Sequence, residues 1–229
     1  MDKINRKKLG LLGGTFNPVH LGHLRAAEEI REILELDKIH FIPASIPPHK
    51  DSEDIITTED RLKMLELATY GNPFFEISDI ELKRGGASYT IDTLRHFSYS
   101  YPEYELYFIV GNELFAEINT WKDFKQLFAL SNFVVITRPG FSGDYSSLIP
   151  LAVKEDFRYH KTENEVTTYF HRGSKTLTIV QIEGIQVSST QIRNLLEKDK
   201  SVKYLVPATI ESYILSKKLY KKEADLNRV

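Results

Sequence analysis

Two histidines three positions apart, His20 and His23, fall where an apolar stretch gives way to an amphipathic one. Imidazole can donate a hydrogen bond to a phosphate oxygen, and its charge can respond to a neighbouring anion. At this spacing the two rings share one face of a helical turn, and Gly22 between them is expected to leave that face open. Two such donors would stabilise the charge that builds during displacement at phosphorus. Just upstream, in Gly13-Gly14-Thr15-Phe16-Asn17-Pro18-Val19-His20, paired glycines let the backbone approach a ligand without side-chain obstruction. The helix start that follows offers N–H groups to an anion, a dipole contribution of roughly 0.3–1 kcal/mol. An isolated His-x-x-His more often means one capping ring and one solvated ring. A strand, two glycines and a helix start in the same stretch tip the balance to a phosphate site.

A second cluster, Val187-Ser188-Ser189-Thr190-Gln191-Ile192-Arg193, opens a helical pattern far along the chain. Consecutive hydroxyls at a helix start can cap backbone donors or bind phosphate oxygens. Arg193, one turn further on, would share their face and add a forked donor. Taken alone, the stretch reads equally well as an ordinary cap beside a surface arginine. Neither cluster matches Gly-x-Gly-x-x-Gly, which disfavours a hydride-transferring dinucleotide site, and the P-loop pattern is missing as well.

The elements that must position these residues alternate between strand-like and helix-like, which points to an α/β fold with a mostly parallel sheet covered by helices. Lys8 to Leu12 reads as a short buried strand. Leu21, Leu24, Ala27, Ile30 and Leu34 then recur at helical spacing, with Glu28, Glu29, Arg31 and Glu32 between them. Ile39 to Ile42 is the next strand, and Pro43, Pro47 and Pro48 stiffen the loop after it. Thr57 or Thr58 caps a helix through about Tyr70, with Asp60 in a capping-box-like position. Phe75 to Leu82 reads as extended and Thr90 to Phe97 as helical. Tyr104 to Val110 is the clearest strand, ended by Gly111. A helical stretch from Trp121 to Leu130 leads to the strand Phe133 to Thr137. Residues 141–160 carry no assignment. Glu165 to His171 and Thr176 to Ile182 form a hairpin around Gly173-Ser174, and helices follow over Ser189 to Lys198 and Pro207 to Leu219. The polar residues 221–229 are expected to fray. With no internal repeat and no low-complexity linker, residues 1–229 read as a single domain.

Charge narrows the function classes. Lys plus Arg number 30 against 32 for Asp plus Glu, and the net charge of -2 argues against a general nucleic-acid or membrane surface. A local basic pocket for a polyphosphate remains compatible with it. The lack of cysteine removes any disulfide framework or thiolate metal site and suits a cytoplasmic home. The apolar stretch after the basic start ends at Leu12, too early for a secretory signal, and no run approaches the roughly 18 apolar residues that would span a bilayer. A soluble, unprocessed chain is expected.

His20-Leu21-Gly22-His23 after Gly13-Gly14-Thr15-Phe16 resembles the His-x-Gly-His signature of the nucleotidyltransferase superfamily of adenylyl- and cytidylyltransferases. The late Ser188-Ser189-Thr190-Gln191-Ile192-Arg193 is similar to that superfamily's Ser-Ser-Thr-x-Ile-Arg, in the right order. Middle segments resemble one family in particular, the nicotinate-nucleotide adenylyltransferases. These are Ile42-Pro43-Ala44-Ser45-Ile46-Pro47-Pro48-His49-Lys50, the stretch Glu81 to Leu94, Trp121, Arg138-Pro139-Gly140 and Tyr204-Leu205-Val206-Pro207. The similarity runs from about Lys8 to Tyr220.

That resemblance implies a Rossmann-like, doubly wound sheet with helices on both faces and a C-terminal helical segment. It implies transfer of AMP from ATP to nicotinate mononucleotide with release of pyrophosphate, a step of NAD biosynthesis. It puts catalysis on His20, His23 and Arg193, and ATP on Gly13, Gly14, Thr15, Phe16, His20, Gly22, His23, Ser188, Ser189, Thr190 and Arg193. It puts the mononucleotide on Lys50, Thr90, Trp121 and Arg138. The residue chemistry is compatible: Trp121 is the only tryptophan and suits a pyridine ring, and a helix starting at Thr90 can present N–H groups to a carboxylate.

Two positions depart from the family pattern. Asn17 stands where Asp is common, and Gly111-Asn112-Glu113 stands for the usual Gly-x-Asp, so no catalytic role is carried onto Glu113. A phosphate is already an adequate nucleophile at neutral pH, so neither a general base nor a covalent intermediate is required. Mg²⁺ is expected to be held mainly by the ATP phosphates and water, with few protein carboxylates needed. Alternatives stay open at this level: an adenylyltransferase preferring nicotinamide mononucleotide or phosphopantetheine, or a nucleotide-binding sensor without turnover. Acid against amide selectivity is open too, as is assembly into a homo-oligomer.

Overall fold

The computed structural model describes residues 6–47, 55–137, 143–164 and 166–221. Its strands are β1 (Lys7–Gly14), β2 (Lys38–Pro43), β3 (Phe75–Ile77), β4 (Tyr104–Gly111), β5 (Asn132–Thr137), β6 (Phe157–Glu163), β7 (Val166–His171) and β8 (Thr176–Gln181). They join in one sheet ordered β3-β2-β1-β4-β5-β8-β7-β6. Neighbours from β3 to β8 pair in parallel, whereas β8–β7 and β7–β6 are antiparallel. After β1 the chain builds outward through β2 and β3, then returns to lay β4 on the other side of β1. The order therefore reverses between β1 and β4, and the crevice beyond their carboxyl ends is where such sheets bind ligands.

Helices cover both faces: α1 (Leu21–Leu34), α2 (Thr58–Thr69), α3 (Ile80–Arg84), α4 (Thr90–Ser100), α5 (Asn112–Ala116), α6 (Phe124–Leu130), α7 (Leu151–Lys154), α8 (Ser189–Leu196) and α9 (Ala208–Lys217). Strand periodicity of two divides the core between the faces. Leu106, Phe108 and Val110 of β4 point to the side of α4 to α7, where Ile91, Leu94, Phe97, Phe115, Leu127 and Phe128 are buried. Ile109 points to the opposite side, where Ala27, Ile30, Met64, Leu65, Ile192 and Ile210 from α1, α2, α8 and α9 pack. Each fully buried aliphatic side chain contributes roughly 1.5–3 kcal/mol. The helices that carry the two phosphate-type clusters, α1 and α8, thus share one face of the sheet.

Local chemistry sets the helix ends. Thr57 caps α2 as expected, its Oγ1 accepting from Asp60 N at 3.1 Å while its hydroxyl donates to Asp60 Oδ2 at 2.8 Å. Such a cap stabilises by about 1 kcal/mol. α1 ends where Glu35 turns left-handed, at φ 53°.

Three expectations are corrected. The extended run Phe75–Leu82 stops at Ile77, and Ile80–Arg84 instead makes the single helical turn α3. That turn is held by an ion pair between Lys83 and Asp79 at 2.9 Å and by buried Glu81, which accepts from Thr93 Oγ1 at 2.5 Å. Trp121 does not open a helix. It follows a 3-10 turn, Ile118–Thr120, and α6 starts only at Phe124 after Asp123 has turned left-handed at φ 52°. Within 141–160, where no element was assigned, lie α7 and the start of β6. Only Phe157 of β6 is buried, so the strand carries no alternation to read. It is a charged edge with a register shift between Tyr159 and Lys161, features that discourage pairing with another chain.

Arg61, 1% exposed, spans the carboxyl ends of β1 and β2. Its Nη1 donates to Thr15 O at 2.9 Å and Ala44 O at 2.7 Å, and its Nη2 reaches Ser45 O at 3.4 Å. A buried cation is tolerable only with such partners, and here carbonyl dipoles supply them. Among the described residues, no helix is long and apolar enough to cross a membrane.

Two imidazoles, His40 buried and His171 half-buried, make stability pH-dependent. His40 lies edge-on to Phe97 and Tyr101, its Nε2 3.1 Å from Glu76 Oε2, and burial lowers its pKa despite the opposing pull of that carboxylate. Burial against Phe128 and Phe157 lowers His171 as well. Below the ordinary imidazole value near 6.5 the unfolded chain binds protons that the folded chain refuses, so stability falls as pH drops through that range. Thermal melts from about pH 7.5 down to about pH 5.5 should show a falling Tm, with a shallower slope in His40→Gln. A variant that keeps the wild-type slope would remove His40 as a source.

Candidate active site

β1 delivers Gly13 and Gly14 to the crevice, and a short loop then turns into α1 with His20 at its N-cap in extended geometry, φ -146° and ψ 170°. The Asn17–Pro18 peptide is cis. Phe16 sits in the left-handed region at φ 49°, its buried ring edge-on to His23 at 5.1 Å and tilted against Phe41 at 5.8 Å. A Cβ on Gly14 would lie 3.0 Å from that ring, so glycine lets the loop fold over Phe16. The imidazoles of His20 and His23 stack with centroids 3.7 Å apart and 22° between planes. His20 N donates to His23 Nδ1 at 3.3 Å, which places the proton of a neutral His23 ring on Nε2.

Gly22 does not leave an open face. A Cβ there would come within 2.9 Å of Ile185 O and 3.0 Å of Val187 Cγ1. The connection from β8 to α8 packs directly on the first turn of α1. Glu29 holds it there: this carboxylate, 6% exposed, accepts from Glu183 N at 2.8 Å and Gly184 N at 3.0 Å and pairs with Arg25 Nε at 2.8 Å. Read as one of the polar residues between the apolar positions of α1, Glu29 was missed as a site-building residue. The available signal was its spacing: Gly22 and Glu29 are seven apart and therefore on one face.

The second cluster meets the first. Ser188 is the N-cap of α8, its Oγ accepting from Gln191 N at 3.1 Å. Ser189 Oγ donates to Pro18 O at 2.8 Å, and Arg193 Nη1 donates to Asn17 O at 2.9 Å. Arg193 Nη2 also reaches Thr190 Oγ1 at 3.4 Å. One cavity of about 780 Å³ results, lined both by Gly13, Gly14, Thr15, Phe16, His20, Gly22 and His23 and by Ser188, Ser189, Thr190 and Arg193.

The same cavity is also lined by Thr90, Thr93, Trp121, Lys122 and Glu113. Tyr89 precedes α4 without capping it through its side chain, and Thr90, the first residue of that helix, lines the cavity. Trp121 leans edge-on against Phe108 at 6.1 Å. Lys122 Nζ lies 4.6 Å from the centre of the Tyr89 ring and 3.2 Å from Asp92 Oδ2. Ser45 N donates to Ser88 Oγ at 2.8 Å, and Ser88 N to Ile46 O at 3.0 Å, joining the loop after β2 to the approach of α4. Lys50 and Arg138, expected near the mononucleotide, lie outside the described residues.

Known proteins resemble this chain in sequence and in fold. The sequence profile of the cytidylyltransferase-like family matches residues 11–195. The chain is 42% identical over 214 residues to a protein of Geotalea daltonii named probable nicotinate-nucleotide adenylyltransferase, covering 93% of this chain and 98% of the relative. It is 41% identical over 217 residues to a protein of the same name from Syntrophotalea carbinolica, covering 94% and 98%. In fold it resembles nicotinic acid mononucleotide adenylyltransferase of Plasmodium falciparum, solved with NaAD, at a TM-score of 0.71 and 19% identity over 93% of this chain and 97% of that one.

The packing at Gly22 generates a direct test. Gly22→Ala should cost about 1–3 kcal/mol, since its methyl group meets the Ile185 backbone and not a mobile side-chain tip. Denaturant unfolding measures this, and a variant as stable as wild type would mean that the 183–187 connection yields freely.

Proposed function

This chain belongs to the cytidylyltransferase-like family, among the nicotinate-nucleotide adenylyltransferases, and we propose that it transfers AMP from ATP to nicotinate mononucleotide, giving nicotinate adenine dinucleotide and pyrophosphate in NAD biosynthesis. The observation that carries this reading is the bond from Arg193 to Asn17 O, which closes two distant clusters of phosphate-type donors around one cavity.

In the proposed reaction an oxygen of the mononucleotide's phosphate attacks the α-phosphorus of ATP. The bond from that phosphorus to the bridging oxygen breaks, and pyrophosphate leaves in line. His20, His23 and Arg193 stabilise the charge that gathers on the phosphoryl oxygens. Gly13, Gly14, Thr15, Phe16, Gly22, Ser188, Ser189 and Thr190 complete the ATP cradle, with backbone, ring or hydroxyl contacts. Holding two reactants in line can lower a barrier by roughly 7–11 kcal/mol at best, so no proton-transfer residue is needed. Mg²⁺ carried by the triphosphate would neutralise the departing pyrophosphate. Among the described residues no three acidic or histidine side chains gather to cage an ion, and the donor-rich walls fit phosphate oxygens better than a bare cation.

At the other end, Trp121 stacks on the pyridine ring and the start of α4 at Thr90 receives its carboxylate. The cationic Lys122 beside them supports the acid over the amide. Lys50 and Arg138 are assigned to the mononucleotide on family resemblance alone. The proposal includes a single-domain cytoplasmic enzyme with small nucleotides as partners. A net charge of -2 argues against a general nucleic-acid or membrane surface.

Pyrophosphate release from ATP with nicotinate mononucleotide, nicotinamide mononucleotide and phosphopantetheine tests the assignment. The acid should react fastest; a higher rate with either rival would replace the substrate. His23→Ala should lower kcat about 10²–10³-fold, the loss typical of one oxyanion-type donor. His20→Ala should match it, with a further stability loss, because His20 is also the buried N-cap of α1. Turnover near wild type in both would refute the assigned role. Trp121→Ala should chiefly raise KM for the mononucleotide, since stacking acts in ground and transition states alike. An unaltered KM would take Trp121 out of the pyridine pocket.

A further inference from the structure

After α9 the chain turns through Lys218 at φ 52° and Tyr220 at φ 66°, and folds back beneath the loop that precedes α1. Leu219 and Tyr220 pack on the core shared by α1, α2, α8 and α9. The Tyr220 hydroxyl donates to Asn17 Oδ1 at 2.9 Å, across 203 residues of sequence. The same Oδ1 accepts from Ile56 N at 3.4 Å, while the backbone oxygen of Asn17 takes Arg193. Asn17 therefore receives Tyr220 on its side chain and the cradle's guanidinium on its main chain. One residue thus joins the phenol to the guanidinium.

We propose that Tyr220 is a positioning residue for the phosphate cradle, acting through Asn17 on Arg193. The inference rests on reading that cradle as the ATP site. Asn17 lies outside helix and strand, so no ladder of backbone bonds fixes it. Its neighbour Thr15 is held from the other side by Arg61. The loop is thus braced by a buried arginine before Asn17 and by a phenol at it. Tyr220 faces Arg193, Arg61 and Asp60. Burial raises its pKa well beyond the ordinary phenol range, outweighing the two arginines that lower it, so the hydroxyl stays a donor at working pH.

Tyr220→Phe removes the hydroxyl and keeps the ring. Tyr213→Phe serves as the control: its hydroxyl, in α9, donates to Asp60 Oδ1 of α2 at 2.8 Å. Each variant loses one hydrogen bond, so similar small drops in Tm are expected. Tyr220→Phe should lower kcat about 10-fold and weaken ATP binding several-fold by calorimetry, leaving KM for the mononucleotide within about 2-fold. Tyr213→Phe should stay within about 2-fold of wild type in all three readouts. The proposal is overturned if Tyr220→Phe keeps wild-type kcat and ATP affinity, or if Tyr213→Phe loses as much. Should the wild type bind ATP yet release no pyrophosphate, the transfer reading fails and the ATP affinities still decide the role of Tyr220. A wild type that binds no ATP overturns both.

Discussion

The site depends on a contact between chain segments that sequence keeps far apart: Ser189 and Arg193 on the first turns of α8 bind the carbonyls of Pro18 and Asn17. Both segments line one cavity. Closing so long a loop costs entropy that grows only logarithmically with length, so a few well-placed bonds backed by a core can hold it. The sheet does most of the work. β4 and β5 lie between β1 and β8 in the strand order, and α1 and α8 pack on the same face, so the two helix starts converge on one crevice. Glu29 then fixes the connection out of β8 by its backbone N–H groups, and Gly22 lets it come within contact of α1.

Charge is distributed locally in a way the chain total hides. The net formal charge is -2, yet the loop before α1 has Arg61 beneath it and Arg193 beside it. Asn17, between them, keeps the acceptor oxygen that the family's usual Asp would offer without its negative charge. The two guanidiniums are therefore not neutralised from within the loop. Their field is available to an incoming anion, in surroundings where screening by water is reduced.

The parts of this arrangement that were legible in sequence are those with local causes. His20 and His23 stood at a helix start after paired glycines, and Ser188 to Arg193 opened another helix, so each cluster could be read from a few adjacent residues. Their meeting could not: it followed from family likeness, and the structure supplies its bonds. β6 escaped because a strand with a single buried residue has no periodicity to detect. Arg61 and Glu29 escaped for a different reason. Each is a charged residue on an amphipathic helix, expected in solvent, and each is buried by partners lying 46 and 154 residues away in sequence. The turn α3 was misread although Glu81, Leu82, Lys83 and Arg84 favour helix, because five residues are too few to display a helical period.

At β8 the sheet changes from parallel to antiparallel pairing, and this has a practical consequence. The parallel strands all point their carboxyl ends at the cavity, so the link from β7 to β8, residues 172–175, emerges at the opposite rim. Ser174 already occupies a left-handed turn there, at φ 71°, and no residue of this link lines the cavity. Foreign sequence spliced into that hairpin tip, such as an epitope, a fluorophore tag or a surface-tethering peptide, would project away from the nucleotides. The enzyme could be immobilised or labelled at that point without rebuilding any residue that lines the cavity.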